Sequence, residues 1–165
     1  MTHFENRIKE ATSPLPGSIP QTINYKLSVK LKNAGLTILE LYTQSFPQVS
    51  KEIWETKIKT GMLTVNGNRC EANLVLKAGW ITENTVHNKT EPNVSNEIKL
   101  IYEDDNLLVI DKPSPLPMHP SGRFNRNSLT EILKLAFPKG IFKIIHRLDA
   151  NTTGVILLAK NFYLF

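Results

Sequence analysis

The chain has 165 residues, of which 41% are hydrophobic and 21% charged, a balance that supports one domain or a small domain plus part of a larger one and excludes wholesale disorder. Lys and Arg outnumber Asp and Glu by 20 to 15, and the formal charge of +5 with a pI near 9.3 favours a polyanionic partner. Cys70 is the only cysteine, which excludes an intrachain disulfide and a cysteine-based metal cage and suggests a reducing, cytoplasmic location.

Residues 1–32 read as an N-terminal arm. Residues 1–10 are mostly polar and resemble no signal peptide, and no apolar run anywhere approaches a membrane span. The run Ser13-Pro14-Leu15-Pro16-Gly17-Ser18-Ile19-Pro20 holds too much Pro and Gly for a helix or a central strand. Alternation at Tyr25, Leu27, Val29 and Leu31 adds an edge strand.

Over residues 33–90 the pattern predicts helix, helix, hairpin. Leu36 and Leu39 lie on one stripe that Ile38 and Leu41 widen, and Phe46-Pro47 ends the segment. Ser50 suits an N-cap, Ile53, Trp54 and Ile58 form an apolar face, and Gly61 closes the second helix. Residues 63–70 turn on Asn66-Gly67, the dipeptide that a twisted two-residue hairpin prefers. Residues 82–96 are polar, carry Pro92 and read as a linker.

Strands are predicted at 98–102 and 107–110, turning at Asp104-Asp105-Asn106, where the acids bond their own backbone. Four prolines stiffen residues 113–122, with His119 expected to pack in that loop. Ser128-Leu129-Thr130-Glu131 reads as a capping box, and Leu129, Ile132, Leu133 and Ala136 recur at helical spacing up to Phe137-Pro138. Between Lys112 and Arg147 the cations Lys112, Arg123, Arg126, Lys134, Lys139, Lys143 and Arg147 face one acid, Glu131, and form a candidate phosphate-binding cluster. The polar loop His146-Arg147-Leu148-Asp149-Ala150-Asn151-Thr152-Thr153 then runs into residues 155–159, an apolar run expected to be a central strand covered on both faces. Rigid strands that hold a polar loop commonly present binding and catalytic groups. The four histidines lack ligand spacing and no Gly-rich nucleotide loop is present, so neither a metal nor an organic cofactor is expected.

His146-Arg147-Leu148-Asp149, then Thr152-x-Gly154 and an apolar strand ending Ala159-Lys160, resembles the signature of RluA/RluD-type RNA pseudouridine synthases. So do the strands at 98–110 with the Lys112-Pro113, Pro117 and His119-Pro120 loop, and together the likeness covers the last seventy residues or so. Thr153 stands where the family usually has Ser. The resemblance implies that Asp149 is the catalytic aspartate and that Arg147 helps hold a flipped nucleotide. His146, Thr152, Lys112, Arg123 and Arg126 are the further candidates for contacts to RNA. Residues 33–90 resemble an S4-type RNA-binding module, with Trp80 where an acidic residue usually follows the glycine.

The fold expected is therefore α+β: an S4-like module (33–90) ahead of the first part of a mixed-sheet pseudouridine synthase catalytic domain (96–165). The resemblance also implies a sheet that continues past residue 165 and supplies a tyrosine facing the uracil. The chain is thus expected to be the front of a longer polypeptide or a shortened relative. An isomerase acting on rRNA or tRNA is the first reading, a non-catalytic RNA-binding remnant the second, and a nucleosidase-like hydrolase the third. An open sheet edge at 155–165 would promote self-association.

Overall fold

The computed structural model describes residues 1–161. In chain order these form α1 (His3–Ala11), β1 (Gln21–Ser28), α2 (Ile38–Ser45), α3 (Lys51–Thr60), β2 (Leu63–Val65), β3 (Ile81–Lys89), β4 (Lys99–Glu103), β5 (Leu107–Lys112), α4 (Leu129–Ala136), β6 (Lys143–Ile144) and β7 (Gly154–Ala159). The architecture is α+β, and every strand pair among the described residues is antiparallel. The chain divides into two compact units, one made of residues 21–89 and the other of residues 1–20 with residues from 90 onward.

In the unit of residues 21–89, the sheet order is β1-β3-β2. Thr37 caps α2 through a capping box: its hydroxyl accepts from the Glu40 N–H at 3.2 Å, and the Glu40 carboxylate accepts from the Thr37 N–H at 2.8 Å. Ile38, Leu41, Tyr42, Trp54, Ile58 and Leu63 fill the core, and the Tyr42 hydroxyl meets Thr82 Oγ1 at 2.8 Å. Ile53, expected on the apolar face, is exposed. Asn66 and Gly67 form the expected turn with φ of 49° and 77°, values that Asn and Gly tolerate. The strand after it differs from expectation, because β2 pairs with β3. Residues 82–89, read as linker, are instead most of the central strand. Their polar sequence hides this, since only Thr82 of β3 is buried.

In the other unit the sheet order is β4-β5-β7-β6, and its buried face packs on α4. Alternation sends Leu108 and Ile110 of β5 and Ile156 and Leu158 of β7 inward against Leu129, Ile132 and Leu133. Burying each such side chain contributes about 1.5–3 kcal/mol before entropy is subtracted. The Asp104 turn forms as expected, with Oδ1 accepting from the N–H groups of Asn106 and Leu107 at 2.8 and 2.7 Å. The Ser128 capping box does not form. Ser128 donates instead to the Asn125 carbonyl, and the first two N–H groups of α4 donate to the Pro117 and Met118 carbonyls at 2.8 and 3.1 Å.

Residues 1–20 are not an extended arm but part of this unit. Phe4 and Ile8 of α1 are buried, Phe4 stacks on Phe137 with centroids 5.3 Å apart, and Arg7 donates to the Ala136 carbonyl at the end of α4. The expectation for residues 155–159 is also corrected. β7 pairs along its whole length with β5 and, on its other side, with β6 at Leu158 and Ala159, so the edge expected to be open is covered at that end, where Leu158 is fully buried. Its second face is open at Val155, which is 50% exposed, and closed at Ala159, which is fully buried. Phe162, Tyr163, Leu164 and Phe165, also assigned to that edge, lie outside the described residues.

Candidate active-site loop

The loop between β6 and β7 is anchored at several points. At its start the backbone ladder gives way to a side chain: the Ile145 N–H donates to the Leu157 carbonyl at 3.3 Å, and His146 Nε2 accepts from the Leu157 N–H at 3.1 Å. At its far end the Thr152 N–H donates to the Asp149 carbonyl at 3.0 Å and closes a tight turn. Between these, exposure alternates. Leu148 is drawn towards the core, while Arg147 and Asp149 on either side of it are exposed. No ion pair or hydrogen bond joins the Arg147 and Asp149 side chains to other described residues, so a guanidinium and a carboxylate two residues apart both stand open to a ligand. Such a pair can grip a phosphate and supply a nucleophile or base.

The loop that follows β5 braces this turn from beneath. The Leu116 N–H donates to the Ala150 carbonyl at 2.8 Å, fixing the peptide next to Asp149. Leu116 and Met118 are buried and do the packing expected of His119, which is exposed.

The basic cluster separates into three kinds of residue. Arg123 is exposed at the tip of a two-residue turn closed between Ser121 and Phe124, its guanidinium 5.8 Å from the Phe124 ring centre. Arg126 is engaged: it lies 3.8 Å from the Glu91 carboxylate and donates to the Ile19 carbonyl. Lys112 is fully buried, and its ammonium donates to the carbonyls of Pro113, Leu116 and Ala150 at 3.0, 2.8 and 3.4 Å. Burial lowers its pKa from the ordinary lysine value. Lys112 and Arg126 therefore do not offer free charges to phosphate. The position of Lys112 follows from period-two alternation, because Leu108, Ile110 and Lys112 share one face of β5. Thr152 is exposed beside Asp149.

Three supporting residues escaped the sequence reading. Glu91 accepts from the N–H groups of Asn125, Arg126 and Asn127 at 2.8–2.9 Å. Burial pushes its carboxyl up, but those three N–H groups and the Arg126 charge outweigh it, and the pKa lies below the ordinary value. Asn127, fully buried, donates to the Pro92 carbonyl and accepts from the Gly17 N–H at 2.7 Å. A side chain at Gly17 would stand 2.5 Å from the Asn127 carboxamide, so only glycine fits there. No local signal marks this network, since its members are up to 110 positions apart.

Residues 106–164 match the family model described as RNA pseudouridylate synthase. A mitochondrial tRNA pseudouridine(32) synthase of Saccharomyces cerevisiae is 32% identical over 149 residues, which is 89% of this chain and 32% of that protein. A human pseudouridylate synthase is 31% identical over 142 residues, covering 86% of this chain and 26% of its own length. An uncharacterized RNA pseudouridine synthase of Synechocystis is 30% identical over 124 residues, covering 75% and 43%. The chain thus spans less than half the length of each of these relatives.

Proposed function

We propose that this chain belongs to an RluA-type RNA pseudouridine synthase that converts uridine to pseudouridine in a structured RNA, with Asp149 as its catalytic carboxylate. The observation that carries the reading is Asp149 itself, exposed beside Arg147 on a turn whose backbone is fixed, within the stretch that matches the synthase model.

The chemistry asks for little more than such a carboxylate. The N-glycosidic bond breaks, the uracil turns while it stays bound, and its C5 joins the ribose C1′. C5 then loses its proton, and no outside group enters. Asp149 assists either by attacking C1′ or by taking a proton from C2′. A stacked uridine cannot reach the loop, so the base is flipped out, and the open guanidinium of Arg147 suits the vacated space and the adjacent phosphate. Arg123, on its exposed turn, adds a backbone contact. Thr152 offers a hydroxyl beside the turn. His146 holds the start of the loop through Leu157 and is left with one free ring nitrogen.

The substrate in this reading is tRNA, because the yeast relative is named for a tRNA position. The unit of residues 21–89 serves as an S4-like RNA-binding module, supported by the order of α2, α3 and the Asn66-Gly67 turn. None of the described helices is long and apolar enough to cross a membrane, and the location proposed is the cytoplasm. RNA labelled with tritium at uridine C5 tests the reaction. Release of label by the intact protein and none by Asp149→Asn is the expected outcome, and equal release by the variant removes Asp149 from the mechanism.

A further inference from the structure

We infer that Glu91 is a positioning residue for the Arg123 turn: its carboxylate fixes the chain that leaves the turn and, by holding Arg126, leaves Arg123 as the arginine that meets RNA. This rests on the backbone contact assigned to Arg123 above. The turn is tight. Ser121 and Phe124 exchange backbone hydrogen bonds of 2.8 and 3.0 Å, and Arg123 stands exposed between them with its guanidinium 5.8 Å from the Phe124 ring centre. The three residues after Phe124 lie in neither helix nor strand, yet their N–H groups converge on one side chain. Glu91 Oε2 accepts from Asn125 and Asn127 at 2.9 and 2.8 Å, and Oε1 accepts from Arg126 at 2.9 Å.

Anchoring the segment around Glu91 does not require this carboxylate. The Glu91 N–H already donates to the Gly17 carbonyl at 2.8 Å, and Asn127 donates to the Pro92 carbonyl. The Glu91 side chain is 5% exposed, and taking a carboxylate out of water is costly unless its charge is used. Here the charge is used twice. Its two anionic oxygens take three successive N–H groups, whereas a neutral carboxamide, with one oxygen and two lone pairs, takes at most two. The same carboxylate lies 3.8 Å from the Arg126 guanidinium, which also donates to the Ile19 carbonyl. Of two arginines three positions apart, Arg126 is thereby held by the protein, and Arg123 is left without a carboxylate partner among the described residues. A cation on a fixed turn loses less freedom on meeting a phosphate than one on a loose loop, so the order that Glu91 imposes is expressed as RNA affinity.

The test is a double-mutant cycle on the intact protein with unfractionated tRNA as the probe. Arg123→Ala is expected to weaken tRNA binding roughly tenfold and to lower the slope of log affinity against log salt by about one. Glu91→Gln makes the protein more positive, so nonspecific attraction to RNA alone would strengthen binding. Positioning predicts the opposite sign. Glu91→Gln should weaken binding roughly fivefold, raising KM while kcat at saturating tRNA stays within about twofold. In the Arg123→Ala background the same substitution is expected to cost no further affinity, because the contact it serves is gone. A loss that merely reflects a weakened fold would persist in both backgrounds. Equal losses in the two backgrounds, or tRNA binding by Glu91→Gln as tight as wild type, overturn the inference. Should Glu91→Gln not fold, Glu91→Asp enters the same cycle with the same expectation: it keeps the charge, and one methylene less withdraws the carboxylate from the three N–H groups. The binding cycle does not depend on turnover. A wild type that binds tRNA and releases no tritium removes the isomerase reading and leaves the cycle to decide on Glu91, whereas a wild type that does not bind tRNA overturns the inference outright.

Discussion

In the unit of residues 21–89 the side chains that close helix ends come from near neighbours, as they do for α1, whereas those that hold α4 in the other unit come from across the chain. Thr37 and Glu40 cap α2 from three positions apart, and the Gly61 N–H closes α3 onto the Ile58 carbonyl. Both α2 and α4 begin by donating to carbonyls outside the helix, those of Leu74 and Ala72 for α2 and of Pro117 and Met118 for α4, but only α4 of the two also ends on a distant side chain, that of Arg7, 129 positions away. Glu91 gathers three successive N–H groups of residues 125–127, and Asn127 reaches to Gly17. Closure at a distance gives a framework in which several loops constrain each other, and that is the kind of framework that can hold an exposed carboxylate still.

This contrast can be broken most directly in the core. Both tryptophans, Trp54 and Trp80, lie in the unit of residues 21–89, so their fluorescence reports that unit, and calorimetry reports both. Leu108→Ala, at a fully buried position of the other unit, is expected to cost about 2–5 kcal/mol. It should lower one calorimetric transition and leave the tryptophan transition in place. A common shift of both signals would mean that the units melt together.

Glu91→Gln sharpens the contrast with a smaller effect. It removes the charge that three N–H groups and Arg126 address, and is expected to cost about 1–3 kcal/mol at neutral pH. The pKa of Glu91 is lowered from the ordinary 4.5, so its contribution is complete above that value and is lost as pH falls through the lowered folded value. Calorimetry below about pH 4.5 should therefore find the wild-type and variant transitions converging. A gap that persists unchanged into acid would show that the Glu91 charge contributes nothing.

The smallest effect is expected at the local cap. Thr37→Ala should cost about 1 kcal/mol and lower only the tryptophan-reported transition. An unchanged tryptophan midpoint would mean that tertiary packing, not the capping box, holds the start of α2.

The same division governs how much could be read in advance. The buried stripe of α4, the Asp104 turn, the Asn66-Gly67 turn and the apolar run of β7 are written in residues a few positions apart. The loop carrying Arg147 and Asp149 is equally legible, because its polar residues abut that run. α1 was not, since two buried residues, Phe4 and Ile8, on a polar helix gain meaning only from the distant α4 and Phe137. β3 was missed because a strand with one buried residue carries almost no alternation to detect. Charge counting misassigned Lys112 and Arg126 to a phosphate-binding surface, because composition cannot tell a solvated cation from one already satisfied by carbonyls or by Glu91.

The pairing of Gln21 with Lys89 carries a consequence for how the chain tolerates change at this junction. The first and last residues of the unit of residues 21–89 are register partners on adjacent antiparallel strands, β1 and β3. The chain therefore leaves and returns through one narrow neck, roughly a strand spacing of 4.7–4.9 Å across. A segment whose ends meet in this way is one whose insertion or removal displaces the flanking chain little. Residues 1–20 and 90 onward form one compact unit although residues 21–89 interrupt them in sequence.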